Sequence, residues 1–222
     1  PNVKEGDLVP TVLDGGKVAG GHDGGELPAD GIKIKKGKLR GYESYGMLCS
    51  GTELGLNEDL YPGAGYNGLL VLPEDAKVGA DVKPILGMDD WIFDIAITAN
   101  RPDCQSIYGI AREVAAVLGK ECREPALDYT ETAVKKDFKV EVSAKDLCPR
   151  YIAHYVHDVT IGESPAWMRR RLALVGINSI SNMVDITNYV LKELGQPMHA
   201  FDYAYLEGDQ INVRRANEGE RI

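Results

Sequence analysis

Turn-forming residues punctuate the N-terminal part of this chain so densely that long helices are excluded there. Asp14-Gly15-Gly16, Asp23-Gly24-Gly25 and Pro62-Gly63 cut residues 1 to about 85 into short apolar runs. Short strands joined by tight turns predict a small β barrel or sandwich. "GIKIKKGKLRG" (31–41) reads as an alternating strand, with Ile32 and Ile34 facing inward and Lys33 and Lys35 outward. "GLLVLPEDAKVG" (68–79) reads as a buried strand closed by Pro73.

Further along, the pattern mixes strands with helices. "WIFDIAIT" (91–98) predicts a strand, and Asp103 the N-cap of a helix that runs to Leu118 and stops at Gly119. Ile107, Ile110, Ala111, Val114 and Leu118 share one face of that helix and are expected to pack on a core. Residues 119 to about 135 lose periodicity and read as a connection. "FKVEV" (138–142), "RYIAHYVHDVTI" (150–161) and "QINVRRA" (210–216) are strand-like. Ser164-Pro165 predicts a helix start, an N-cap acceptor followed by a residue whose missing N–H costs nothing at N1. That helix ends near Gly176, and a second covers 182–194, stopped by Gly195 and Pro197. No internal repeat or low-complexity tract interrupts the series.

The formal net charge of -9 argues against general nucleic-acid binding, so any contact with RNA has to come from a local basic patch. One candidate exists: Lys33, Lys35, Lys36, Lys38 and Arg40 place five cations within eight residues. Such a stretch can neutralise phosphates, or it can be a solvated edge strand whose lysines discourage aggregation. The four cysteines are widely spaced with no C-x-x-C pair, which fits reduced thiols in a cytosolic protein. No apolar run is long enough to cross a bilayer. Pro1 in place of an initiator Met, no signal-peptide pattern and a stop just after a strand-like stretch lead to the expectation of a piece of a longer polypeptide.

Three further features invite a chemical reading. Asn182, Asp185, Asn188 and Lys192, at spacings of three, three and four, form one polar stripe, by default a helix's wet side. Gly195-Gln196-Pro197 then turns the chain, and His199 follows; it is either a packed core imidazole or a donor and proton carrier facing a substrate. "ANRPDC" (99–104) joins a strand to a helix N-terminus and reads as a structural joint rather than an anion site. No G-x-S-x-G, phosphate-binding loop or H-E-x-x-H pattern is present.

"LRGYESYGMLCSGTELGL", "DIAITANRPDCQSIYGIAREVAAVLGK" and "GINSISNMVDITNYVLKELGQPMHAFDYAYLEG" together resemble the bacterial phenylalanyl-tRNA synthetase beta subunit, in matching order and separation over nearly the whole chain. The resemblance implies an α+β fold: a truncated OB-like β barrel with α/β support, followed by the start of a mixed α/β editing module. It implies boundaries of 1–85 for a partial OB-like tRNA-binding domain, 86–135 for the supporting segment and linker, and 136–222 for the start of a B3/B4-type editing module. It also implies a cytoplasmic ligase subunit with an alpha subunit as partner in an α2β2 heterotetramer, tRNA(Phe) as a further partner, and no membrane. ATP and Mg2+ would serve the holoenzyme, none being expected on this chain, which by itself would not aminoacylate.

In that family the histidine of G-Q-P-x-H-A-F-D belongs to the site that hydrolyses tRNA mischarged with tyrosine, which assigns His199 to editing, with Asn178, Asp185 and Asn188 as substrate-binding candidates. The same resemblance turns Lys33, Lys35, Lys36, Lys38 and Arg40 toward RNA. One departure stands out: the family carries arginine in the G-I-R segment where this chain has Asn178, so a neighbour such as Arg171 or Arg214 substitutes for the missing fork, or editing is weaker or differently arranged. A non-catalytic tRNA-binding or scaffold module is the rival reading.

Overall fold

The computed structural model describes residues 2–20, 28–58, 61, 63–65, 68–131, 133 and 136–221. The predicted Asp23-Gly24-Gly25 turn and Pro62 lie outside the described residues, as does part of the 119–135 connection. By internal contacts the chain divides into two units, Pro1–Ile97 with Glu163–Asp185, and Thr98–Gly162 with Ile186–Ile222.

Among its described residues the first unit carries six short strands: β1 (Thr11–Leu13), β2 (Lys17–Val18), β3 (Ile32–Lys33), β4 (Gly37–Leu39), β5 (Tyr42–Ser44) and β6 (Gly46–Leu48). They pair antiparallel as β1–β6, β2–β3 and β4–β5, each a separate two-stranded sheet. Among the described residues no sheet closes on itself, so the expected barrel is present only as these pairs. Loops tie them together: Gly15 N donates to Ile34 O and Ile34 N to Gly16 O, both 2.9 Å, and Asp14 N donates to Tyr45 O at 2.9 Å. A side chain at Gly46 would put its Cβ 2.4 Å from Val12 O, so the β1–β6 pairing requires glycine there.

The stretch 31–41 is not one alternating strand. It breaks between β3 and β4, where Lys36 N donates to Asp14 Oδ1 at 2.8 Å, and Ile32 is exposed while only Ile34 is half-buried. A side-chain acceptor captures the backbone donor that a continuous ladder needs. The unit's core lies instead among Leu56, Ala64, Leu70 and Leu86, flanked by Leu54, Tyr61, Leu72 and Val82. Leu70 is buried as expected, but its stretch forms no regular strand: Leu70 N bonds Cys49 O and Leu72 N bonds Leu8 O, isolated links of 3.1 and 2.8 Å. Residues 91–98 are likewise irregular, and Trp91, Ile92 and Phe93 are exposed. With no ladder partner among the described residues, their strand propensity goes unused.

This unit also holds the helices α1 (Val82–Leu86) and α3 (Ala166–Leu174), the latter numbered after α2 (Ile107–Leu118) of the second unit. Asp81 caps α1, its side chain accepting from Lys83 N at 3.0 Å. Ser164 does not cap α3 as predicted: Pro165 holds the N-cap position, and the Ser164 hydroxyl is bonded elsewhere. The end of α3 is as expected, with Gly176 left-handed at φ 78° and Ile177 N donating back to Leu172 O at 2.9 Å.

The second unit opens with a 3₁₀ turn (Pro102–Gln105) and then α2. Ser106, not Asp103, caps α2, accepting from Gly109 N at 3.0 Å, and Gly119 ends it at φ 60°. The apolar face expected to pack on a core is mostly open, with Ile107, Val114 and Leu118 all exposed. Strands β7 (Lys139–Val142) and β8 (Gln210–Val213) pair in parallel, Lys139 against Gln210 through Val142 against Val213. Residues 150–161 join no ladder among the described residues. Helix α4 (Asn182–Leu194) begins in the first unit, continues into the second, and stops at Gly195, left-handed at φ 78°. Among the described residues no helix is long and apolar enough to cross a membrane.

Candidate functional site

The link from α3 to α4 in the first unit holds a buried carboxylate and its donors. Asp185, one turn into α4, is fully buried. Its Oδ2 accepts from the Ser164 hydroxyl at 2.5 Å and from the Ser179 hydroxyl, while Oδ1 accepts from Ile180 N at 2.9 Å. Burial by itself raises the pKa of this carboxyl. The hydrogen bonds from Ser164, Ser179 and the Ile180 and Ser181 amides outweigh it, so the group stays ionised below the usual aspartate range. A carboxylate can serve this many donors because it offers about four lone-pair sites. Just before these donors, Asn178 is exposed.

The polar stripe of α4 is therefore not its wet side. Asp185 is buried and Asn182, Asn188 and Lys192 are half-buried, whereas Val184, Ile186, Leu191 and Leu194 are exposed. The inversion follows from the carboxylate network, which makes the polar side the one that packs. Ser164 was read from sequence only as a helix cap and Ser179 not at all; the available local signal was Ser179, six residues before an acid in a helix's first turn.

In the second unit, His199 is exposed beyond the Gly195-Gln196-Pro197 turn, its ring 5.9 Å from that of Phe201 and tilted by 31°. An exposed imidazole is not a packed core residue. Of the two arginines considered as stand-ins for the missing fork, Arg171 lies over the Trp167 ring at 5.5 Å. Arg214 is engaged by Glu220 through two bonds of 2.9 and 2.7 Å, an interaction that first of all holds the Glu220 carboxyl down to about 2.

The basic stretch lies on β3 (Lys33), the link from β3 to β4 (Lys35 and Lys36), β4 (Lys38) and the turn between β4 and β5 (Arg40). Lys36 is engaged within the chain, 3.3 Å from Glu43 Oε2 and 4.3 Å above the Tyr45 ring. Tyr45 donates to Glu43 at 2.5 Å, and this bond, followed by that from Lys36, lowers the Glu43 pKa. Lys33, Lys35, Lys38 and Arg40 make no ion pair among the described residues. Glu43 was not foreseen, and it makes the patch less uniformly positive than its sequence suggests.

"ANRPDC" is a structural joint. Arg101 bridges Asp103 at 2.7 Å and Glu113 at 2.6 Å, tying the 3₁₀ turn to α2. The Asp103, Cys104 and Glu113 ligand atoms lie within 4.8 Å of one another, a spacing open to a metal ion, but the guanidinium already neutralises the carboxylates.

Comparison with known proteins gives this geometry its context. Residues 147–222 match the B3/4 domain family. Over 224 aligned residues the whole chain is 46% identical to the phenylalanine–tRNA ligase beta subunit of Syntrophus aciditrophicus and 44% identical to that of Clostridium acetobutylicum. The Geobacter metallireducens protein of the same name is 49% identical over 210 residues, 94% of this chain. This chain is thus similar over its whole length to the first two of these beta subunits and over nearly all of it to the third. It spans only about a quarter of their length, 26% of the first two and 25% of the third. The resemblance drawn from three sequence motifs thus extends to full-length alignment.

Proposed function

We propose that this chain works, within a longer ligase beta subunit, in tRNA binding and in hydrolytic editing of tRNA(Phe) mischarged with tyrosine. The end-to-end homology to phenylalanine–tRNA ligase beta subunits carries the reading. On it, residues 1–85 contribute to an OB-like tRNA-binding domain, 86–135 support it, and 136–222 open the editing module. The alpha subunit, in an α2β2 assembly in the cytoplasm, would hold the aminoacylation site with its ATP and Mg2+. This chain alone would then carry no aminoacylation.

Editing answers a limit of binding. A pocket for an apolar ring rejects an isostere that merely adds a hydroxyl by only about a hundredfold. A second site that admits tyrosine and cleaves its ester restores accuracy. His199, exposed and free to meet a ligand, is assigned the orientation of water near the ester and the terminal adenosine. Asn178 and Asn188 are assigned hydrogen bonds to the substrate. Among the described residues no Ser, Thr or Cys side chain is hydrogen-bonded to His199, which favours positioning of water over covalent catalysis.

The test is deacylation of Tyr-tRNA(Phe) by the full-length beta subunit assembled with its alpha partner. His199→Ala is expected to slow it at least about a hundredfold, the lower end of the range for loss of a positioned acid–base group. Deacylation at the normal rate, with tRNA binding intact, would leave the non-catalytic tRNA-binding module as the correct reading.

A further inference from the structure

Resting on the editing reading, we infer that Asp185 is a positioning residue whose buried carboxylate fixes the loop that presents Asn178. That loop is held from both sides. On its N-terminal side Gly176 closes α3 and Ile177 N donates to Leu172 O at 2.9 Å. On its C-terminal side the Ser179 hydroxyl and Ile180 N both donate to Asp185. Asn178 sits between these anchors with its side chain exposed, and no bond from its amide group is made to a described residue.

The choice of a carboxylate here has a physical meaning. Burying a charge costs more than burying an apolar group of equal volume, so such a group is a poor way to gain stability. What it adds is geometry. One fully buried side chain gathers Ser164, which precedes α3, and the Ser179 and Ile180 donors of the loop onto the first turn of α4. An apolar residue would fill the space and leave the Ile180 amide and two hydroxyls without that acceptor. The arrangement sets the entry angle of the loop while leaving Asn178 free, as expected where a polar side chain must meet a ligand in one orientation.

Ser179→Ala removes one donor and keeps the carboxylate, so it is the gentler probe; Asp185→Asn is the stronger one. In the assembled holoenzyme, Ser179→Ala is expected to lower kcat for Tyr-tRNA(Phe) deacylation about tenfold with KM nearly unchanged. Combined with Asn178→Ala it should add nothing further, because its effect passes through that residue. By hydrogen exchange, Asp185→Asn should raise the rate at the Ile180 amide at least about tenfold, which checks the clamp independently of activity. Losses that multiply in the double variant, an unchanged kcat in Ser179→Ala, or unchanged exchange at Ile180 would each overturn the inference. A silent Asn178→Ala would overturn it too. The editing reading fails separately, on a silent His199→Ala.

Discussion

A methyl group added at Gly109 would land 1.8 Å from the backbone carbonyl oxygen of Asp103. Alanine is the better helix former by about 1 kcal/mol, yet a clash with backbone cannot be relieved by turning a side chain. Overpacking of this kind typically costs about 1–3 kcal/mol, so Gly109→Ala is expected to lower stability in a urea titration despite its propensity. The contact exists because the 3₁₀ turn folds back over the first turn of α2, which also explains why Ser106 took the cap expected of Asp103. Both residues are good caps, and local sequence alone does not separate them. Asp103 is instead held by Arg101, whose hydrogen bond is the main reason its pKa falls from 3.8 to about 2; the same guanidinium lowers Glu113. A carboxylate depressed on folding stabilises above its unfolded pKa, and that contribution is lost as pH falls through the folded value. Stability supplied by this clamp is therefore expected in full above about pH 5 and to fade toward pH 2. Arg101→Met should flatten the melting-temperature profile across that window; an unchanged profile would mean the pair is screened to nothing.

Helix ends and strand pairings differ in how far the sequence reveals them. Gly119, Gly176 and Gly195 all sit in the left-handed region, at φ 60°, 78° and 78°, and each ends a helix where the sequence placed the stop. That reading succeeds because a left-handed C-terminal residue is a local demand that glycine meets without strain. Strands need partners. β7 and β8 were legible as strands, but their parallel pairing across some seventy residues was not, and 91–98 and 150–161 have the right composition with no ladder to join. The stripe on α4 was legible as a stripe, but its default reading as the wet side fails because its buried carboxylate is satisfied by residues outside the helix. At the β4–β5 hairpin the local rule is itself violated: Arg40 and Gly41 have φ of 53° and 91°, and a left-handed arginine is strained. Arg40→Asn should stabilise the hairpin by about 1 kcal/mol, measured as a rise in the unfolding midpoint. No rise would mean the turn relaxes without cost.

Over the whole chain, a net charge of -9 opposes the approach of any polyanion, so RNA binding through the basic stretch requires that a few cations act locally. The structure grades those cations. Lys36 already meets Glu43 and Tyr45, while Lys33, Lys35, Lys38 and Arg40 make no ion pair among the described residues. Each cation that neutralises a phosphate releases counterions, which gives the binding constant a logarithmic salt slope of about -0.7 to -0.9 per contact. Replacing Lys33, Lys35 and Lys38 together by glutamine in the full-length subunit should therefore weaken tRNA(Phe) binding and make the slope shallower by about 2 to 3. Lys36→Gln alone should change it by less than one contact, since Glu43 competes with phosphate for that ammonium. The comparison belongs at two or more salt concentrations, because a single affinity cannot separate a lost phosphate contact from a general shift in charge. A triple variant with weaker binding but an unaltered slope would point to a damaged β4–β5 hairpin. With both affinity and slope unaltered, the lysines would be the solvated edge that the sequence equally allows, with no part in the proposed tRNA binding.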